Sequence, residues 1–214
     1  MANVRFSIAV SLDGFTAGPN QGEEHPLGEG GEALHEWIIS LEAWRRAHGL
    51  EGGDVNASTP VVEELATGYG AVMMGRNMFG PVRGPWGDSS WRGWWGDDPP
   101  FHHPVFVLTH HPREPLELGG GTTFTFVTEG AEHALERARE AAGDRDVVIA
   151  GGASTIQQYL AAGHVDVMQL SVVPVLLGSG VRLLDRLGGP PPRLEQVAAI
   201  EAPGVTHLRY RVLR

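Results

Sequence analysis

The sequence predicts an α/β fold in three layers: a mixed, mostly parallel eight-stranded central sheet, helices on both faces, and a C-terminal antiparallel hairpin. Three observations predict it. Eight short apolar runs recur along the chain, at Val4–Val10, Ala71–Met74, Val105–Thr109, Thr123–Val127, Val147–Ala150, Val167–Val173, Gln196–Ile200 and His207–Leu213. The central runs are short and apolar on both faces, as in strands covered on both sides by helices. The last two alternate, as in Leu208-Arg209-Tyr210-Arg211-Val212, and Ala202-Pro203-Gly204 between them is a turn signal.

Helical spacing fills the gaps. Residues 31–47 read as one helix, and Ser58-Thr59-Pro60 opens another, with Pro60 in its first turn and Glu63 and Glu64 near the positive end of its dipole. Ala131–Ala142 places Ala131, Ala134, Leu135, Ala138 and Ala142 on one face, and Gly143 stops it. Thr155–Ala162 follows a capping Ser154 and ends at Gly163. No repeat or composition break divides the chain, so residues 1–214 are expected to form a single domain.

Composition narrows the function. The net charge of -10 lacks the basic footprint of a nucleic-acid binder. With no cysteine there are no disulfides, thiolate metal sites or cysteine nucleophiles. No apolar run approaches the ~20 residues that span a bilayer, and the N-terminus shows no secretory leader. A cytoplasmic protein acting on a small molecule, without nucleic-acid or membrane partners, is the expectation.

Three turns suit nucleotide chemistry. In Val148-Ile149-Ala150-Gly151-Gly152-Ala153-Ser154-Thr155 a strand enters a helix through two glycines, which lets backbone N–H groups approach a pyrophosphate. In Met73-Met74-Gly75-Arg76-Asn77 an arginine directly after a strand suits a phosphate fork. Thr109-His110-His111-Pro112-Arg113 forms an electropositive strand end. Each has a plainer reading, as a tight turn or a surface cation, but together they point to one sheet edge. A metal site among His102, His103, His110 and His111 is disfavoured, because adjacent histidines on a strand face opposite ways.

These residues, in this order, resemble the dihydrofolate-reductase-like family, in its riboflavin biosynthesis reductase (RibD C-terminal domain) branch. The resemblance covers nearly the whole chain. Ile8-Ala9-Val10-Ser11-Leu12-Asp13-Gly14-Phe15-Thr16-Ala17 is similar to the family's first strand and mobile loop, and Val173-Pro174-Val175-Leu176-Leu177-Gly178-Ser179-Gly180 to the riboflavin-type branch. It implies NADPH as cofactor, with the backbone near Ala9 and Thr16 bordering the nicotinamide. Arg76, with Gly75 and Asn77, would take the 2′-phosphate alongside Thr109, His110 and His111. Gly151, Gly152, Ala153, Ser154 and Thr155 would face the pyrophosphate. A homodimer is also implied.

Where folate enzymes keep a carboxylate early in the first helix, this chain offers Glu32, His35 and Glu36, none an unambiguous counterpart. Four of the six tryptophans fall in the glycine- and proline-rich stretch 80–104. Four such rings are costly to leave in water. They form a lid over a flat substrate, anchor their own loop, or make a subunit contact. Trp37, Trp86, Trp91, Trp94 and Trp95 are the candidate pocket walls. The expected activity is NADPH-dependent hydride transfer to a C=N or C=O group of a small pterin-, pyrimidine- or other heterocycle-like substrate. The alternative is a non-catalytic nucleotide- or small-molecule-binding protein on the same fold. A flavin-using reductase on another scaffold is a further rival, against which Arg76 and the His110-His111 pair speak.

Overall fold

A computed structural model describes residues 2–80, 84–87, 90–185 and 187–213. The elements run β1 (Val4–Ser11), β2 (Phe15–Ala17), a 3-10 turn (Gly31–Leu34), α1 (Glu36–Ile39), α2 (Glu42–Ala47), α3 (Thr59–Leu65), β3 (Tyr69–Gly75) and α4 (Arg76–Phe79). There follow β4 (Pro104–Leu108), β5 (Leu116–Glu117), β6 (Thr123–Val127), α5 (Ala131–Ala142), β7 (Asp146–Gly151) and α6 (Ala153–Ala161). The chain closes with β8 (Val167–Val173), β9 (Val181–Arg182), β10 (Arg193–Ala202) and β11 (Val205–Leu213).

The main sheet has nine strands in the order β10-β11-β8-β1-β7-β3-β4-β6-β5. All eight expected strands are present, and the two-residue β5 adds a ninth at the edge. The six strands from β8 to β6 pair in parallel, while β5, β10 and β11 pair antiparallel. The carboxyl ends of β1, β7, β3, β4 and β6 therefore lie along one edge. β2 and β9 form a separate two-stranded sheet where the sequence reads as loop.

Strand alternation divides the interior. On β3, Ala71 and Met73 join one core with Val4, Phe6, Val147, Ile149 and Met168, covered by α5 and α6. Val72 and Met74 face a second core with Val105, Val107, Phe124, Phe126 and Phe79. The buried stripe of α5 is Ala134, Leu135, Ala138 and Ala142, as its spacing predicts, and Gly143 caps it. Tyr159 of α6 is 1 % exposed, and its hydroxyl donates to the Ala131 carbonyl at 2.8 Å. Its one polar atom is thus satisfied inside the first core.

Three helical details differ from expectation. Residues 31–47 do not form one helix. They break at His35 and again at Leu41, which is extended (φ -71, ψ 138), fully buried, and bridged to Asp54. Burying Leu41 outweighs the local helical spacing. Ser154 is not the cap of α6; Gly152 holds that position, and the helix starts at Ala153. Glu63 and Glu64 lie past the first turn of α3 and pair instead with Arg46 (3.2 Å) and with both terminal guanidinium nitrogens of Arg209 (2.8 Å each).

A third cluster joins Ala9, Leu34, Val173 and Val205 with Trp37. Beside it His207, 2 % exposed, sits between the hydroxyls of Ser58 (2.8 Å) and Ser171 (3.0 Å), and burial lowers its pKa. Among the described residues no helix is long and apolar enough to cross a membrane.

Candidate active site

A cavity of about 700 Å³ opens along the carboxyl edge of the parallel strands. Open α/β sheets bind ligands at this edge, because strand ends and helix starts leave backbone groups free there. Gly75–Met78 after β3, Leu108–His111 after β4, Val127 and Thr128 after β6, and Ala150–Thr155 after β7 form one half of its wall. The three turns picked out in the sequence are thus brought together around one space. The other half comes from Ile8, Thr16, Ala17, Gln21, Pro26, Leu27, His35 and Val181.

Of the residues singled out for a dinucleotide, Thr16, Gly75, Arg76, Asn77, Thr109, His110, His111 and the run Gly151–Thr155 line this cavity. Ala9 does not. Alternation turns its side chain into the third core, and its neighbour Ile8 faces the cavity instead. The peptide between Gly151 and Gly152 is cis. Gly75 has a steric reason: a Cβ there would strike the Thr155 hydroxyl on the first turn of α6. Thr109 is buried, and its hydroxyl accepts the His111 amide at 3.1 Å, fixing the loop that presents both histidines.

Arg76 has an unusual environment. It is 9 % exposed, and its Nε and Nη1 are buried with no hydrogen-bond partner. Burial lowers its pKa, and the neighbouring Arg113 guanidinium adds to the effect. The guanidinium folds back over Gly80, where any Cβ would collide with Nη1. No Asp or Glu lines the cavity among the described residues, although the chain carries 26 of them. The wall is cationic and hydrogen-bonding at the Arg76 half and mostly apolar at the other.

The candidate acids separate. Glu32 and Glu36 are exposed and do not line the cavity, whereas His35 does. The Nδ1 of His35 is buried without a hydrogen bond of good geometry. Burial lowers its pKa, against the opposing pull of the Gly31 carbonyl and the Glu32 charge. The turn that leads β1 into this half is pinned by Asp13. Its carboxylate accepts the Ser11 hydroxyl and the Gly178 and Leu177 amides, which hold its pKa at about 2. No spacing or motif around Asp13 points to this role, because its partners Leu177 and Gly178 are distant in the chain.

The tryptophans divide too. Trp94 and Trp95 line the cavity; Trp86, Trp91 and Trp37 do not. Trp86 and Trp91 pack into the second core and donate their indole N–H groups to the carbonyls of His111 and Phe79, each at 2.8 Å. These two rings anchor their own segment. Trp37 packs edge-on to His207 at 4.9 Å. His102 contacts the Gly120 carbonyl and His103 the Tyr69 ring, so neither joins His110 and His111. Among the described residues, no three His, Asp or Glu side chains converge in a group able to hold a metal.

The strand order, the glycine pair at the end of β7 and the closing hairpin define a dihydrofolate-reductase-like α/β protein. The family model for the RibD C-terminal domain matches residues 2–207, and the chain belongs to that family. Among solved structures, a putative riboflavin biosynthesis protein from Shewanella sp. PV-4 superposes with a TM-score of 0.60 at 23% identity, covering 100% of both chains. A dihydrofolate reductase from Enterococcus faecalis, complexed with NADP(H), superposes with a TM-score of 0.53 at 13% identity, covering 99% of this chain and 97% of the other. At such identities the likeness concerns the fold. The uncharacterised protein YwjB of Bacillus subtilis is 35% identical over 63 residues, 29% of this chain and 36% of YwjB. The chain is thus a relative of reductases.

Proposed function

We propose that the cavity binds NADPH and that the protein is an NADPH-dependent reductase, acting on a C=N or C=O group of a small pterin-, pyrimidine- or other heterocycle-like substrate. The observation that carries this reading is the Arg76 guanidinium: buried, unpartnered at Nε and Nη1, beside Arg113, on a wall without carboxylates among the described residues. An unpaired buried cation is costly, and an anionic ligand group removes that cost. Arg76 would hold the 2′-phosphate, with Asn77, Thr109, His110 and His111 around it. The backbone of Gly151–Ser154 and the start of the nine-residue α6 would take the pyrophosphate. Thr16 and the β1 backbone at Ile8 and Ala9 would border the nicotinamide. The Enterococcus faecalis protein of the same fold is complexed with NADP(H), which agrees with this reading.

Bound NADPH supplies the hydride. The chain's own work is to orient the reactants, exclude water and deliver a proton to the substrate oxygen or nitrogen. Of the three candidate acids only His35 lines the cavity, and we assign it that proton. Because burial depresses its pKa, the acid form declines once pH rises through a value below the ordinary histidine range. Turnover is therefore expected to fall as pH rises from acid toward neutral.

The test is NADPH oxidation against a panel of pterins, pyrimidines and small carbonyl compounds. At least one class should support oxidation, and His35→Gln should lower kcat by about 10²–10⁴-fold, the usual range for a lost general acid, with NADPH affinity intact. Undiminished turnover in that variant would remove His35 from the mechanism. That no carboxylate lines the cavity among the described residues also favours a second reading, a binding protein without turnover; tight NADPH binding with no oxidation across the panel would select it.

A further inference from the structure

Two guanidinium groups share one indole. Arg76 Cζ lies 3.6 Å from the Trp86 ring centroid, and Arg113 Cζ lies 5.0 Å from it. Trp86 is held in turn: its Nε1 donates to the His111 carbonyl, and Phe126 and Phe79 meet its ring edge-on at 5.0 and 5.7 Å. Arg113 is held as well, since its Nη2 donates to the Trp91 carbonyl while Trp91 donates to Phe79. Four segments, after β3, after β4, on β6 and in the tryptophan-rich stretch, thereby meet at one indole.

The plain alternative is that these rings merely close the second core. Core closure does not call for a guanidinium, and an apolar side chain at position 76 would pack there without the desolvation cost or the repulsion from Arg113. Stacking has a specific effect on arginine. It covers the face of the planar group and leaves the in-plane N–H donors free. Here Nε and Nη1 have no partner and are enclosed, Nη1 against Gly80, while Arg76 itself lines the cavity.

We propose that Trp86 is a positioning residue for dinucleotide selectivity. It holds the Arg76 guanidinium by its face, so that the in-plane donors meet a phosphomonoester on the ribose, and Arg113 reinforces the charge. The proposal rests on the NADPH reading and deepens it. Part of the tryptophan-rich segment thus serves the phosphate end of the cavity instead of covering the substrate.

The test uses the full chain, with calorimetric titrations of NADPH, NADH, adenosine 2′,5′-bisphosphate and 5′-AMP. Trp86→Leu should weaken NADPH and the bisphosphate about tenfold, in line with a desolvated cation–π contact, and leave NADH and 5′-AMP nearly unchanged. Trp86→Phe keeps an aromatic face and should recover most of the preference; it also serves if the leucine variant does not fold. The ratio of NADPH to NADH affinity is the readout that a purely structural role leaves alone. Parallel loss of all four ligands, or an unaltered ratio, would overturn the clamp while leaving NADPH binding in place. A wild-type chain that binds neither dinucleotide would overturn the clamp together with the reading beneath it.

Discussion

Arg76→Ala is expected to weaken NADPH binding by about 10–100-fold, the loss associated with hydrogen bonds to a charged group. NADH, which lacks the 2′-phosphate, should change far less. The stability consequence runs the other way. Arg76 is a buried cation with unpartnered nitrogens and a like-charged neighbour, so in the unliganded fold the stacking on Trp86 offsets only part of its desolvation cost. Arg76→Met, which keeps length and removes charge, should raise the melting temperature of the unliganded protein while abolishing the NADPH preference. Functional sites commonly hold such destabilising groups. Equal loss of both dinucleotides on calorimetric titration, or a fall in the melting temperature of Arg76→Met, would contradict this account.

Phe79→Ala should be the most damaging single truncation in the second core. Phe79 is 0 % exposed and meets Trp86, Phe124 and Phe126 with ring centroids 5.7, 5.0 and 5.2 Å away. Its removal leaves a cavity under Trp86 and Arg113. Phe→Ala changes in cores cost about 3–5 kcal/mol, a large share of the roughly 5–15 kcal/mol that holds a domain together. For a chain of this size that corresponds to a fall on the order of 10 °C in melting temperature. NADPH affinity should fall as well, because Trp86 and Arg113 lose their floor. Chemical denaturation measures the first effect; a loss below about 1 kcal/mol, the ordinary cost of an unremarkable substitution, would contradict it.

The parts of the fold that were legible in the sequence are those encoded by short-range pattern. Val147–Ala150 and Ala71–Met74 read as buried strands because every residue in them is apolar, and α5 because its alanines and Leu135 recur at helical spacing. The turns after β3, β4 and β7 were legible for the same reason, since each follows such a strand directly. Elements fixed by distant partners were not. β2 and β9 have three and two residues and exist through their pairing with each other. Leu41 interrupts a helical pattern because its burial beside Asp54 matters more than local spacing.

The candidate site shows the same division. Composition required the four tryptophans to be covered but not where each ring would go. Trp86 and Trp91 are placed by carbonyls and guanidinium groups on other segments. Spacing alone left Glu32, His35 and Glu36 equivalent; only the break of the helix at His35 separates the ring on the wall from the two exposed carboxylates. Ala9 and Ile8 differ by one step of strand alternation, which a resemblance does not resolve.

The central claim, that Arg76 and the turns around it form a 2′-phosphate site, is tested most directly by calorimetric titration of the wild-type chain with NADPH and with NADH. NADPH should bind tightly and NADH at least tenfold more weakly, the worth of about one charged hydrogen bond. Equal affinity for the two, or heat from neither, would contradict it.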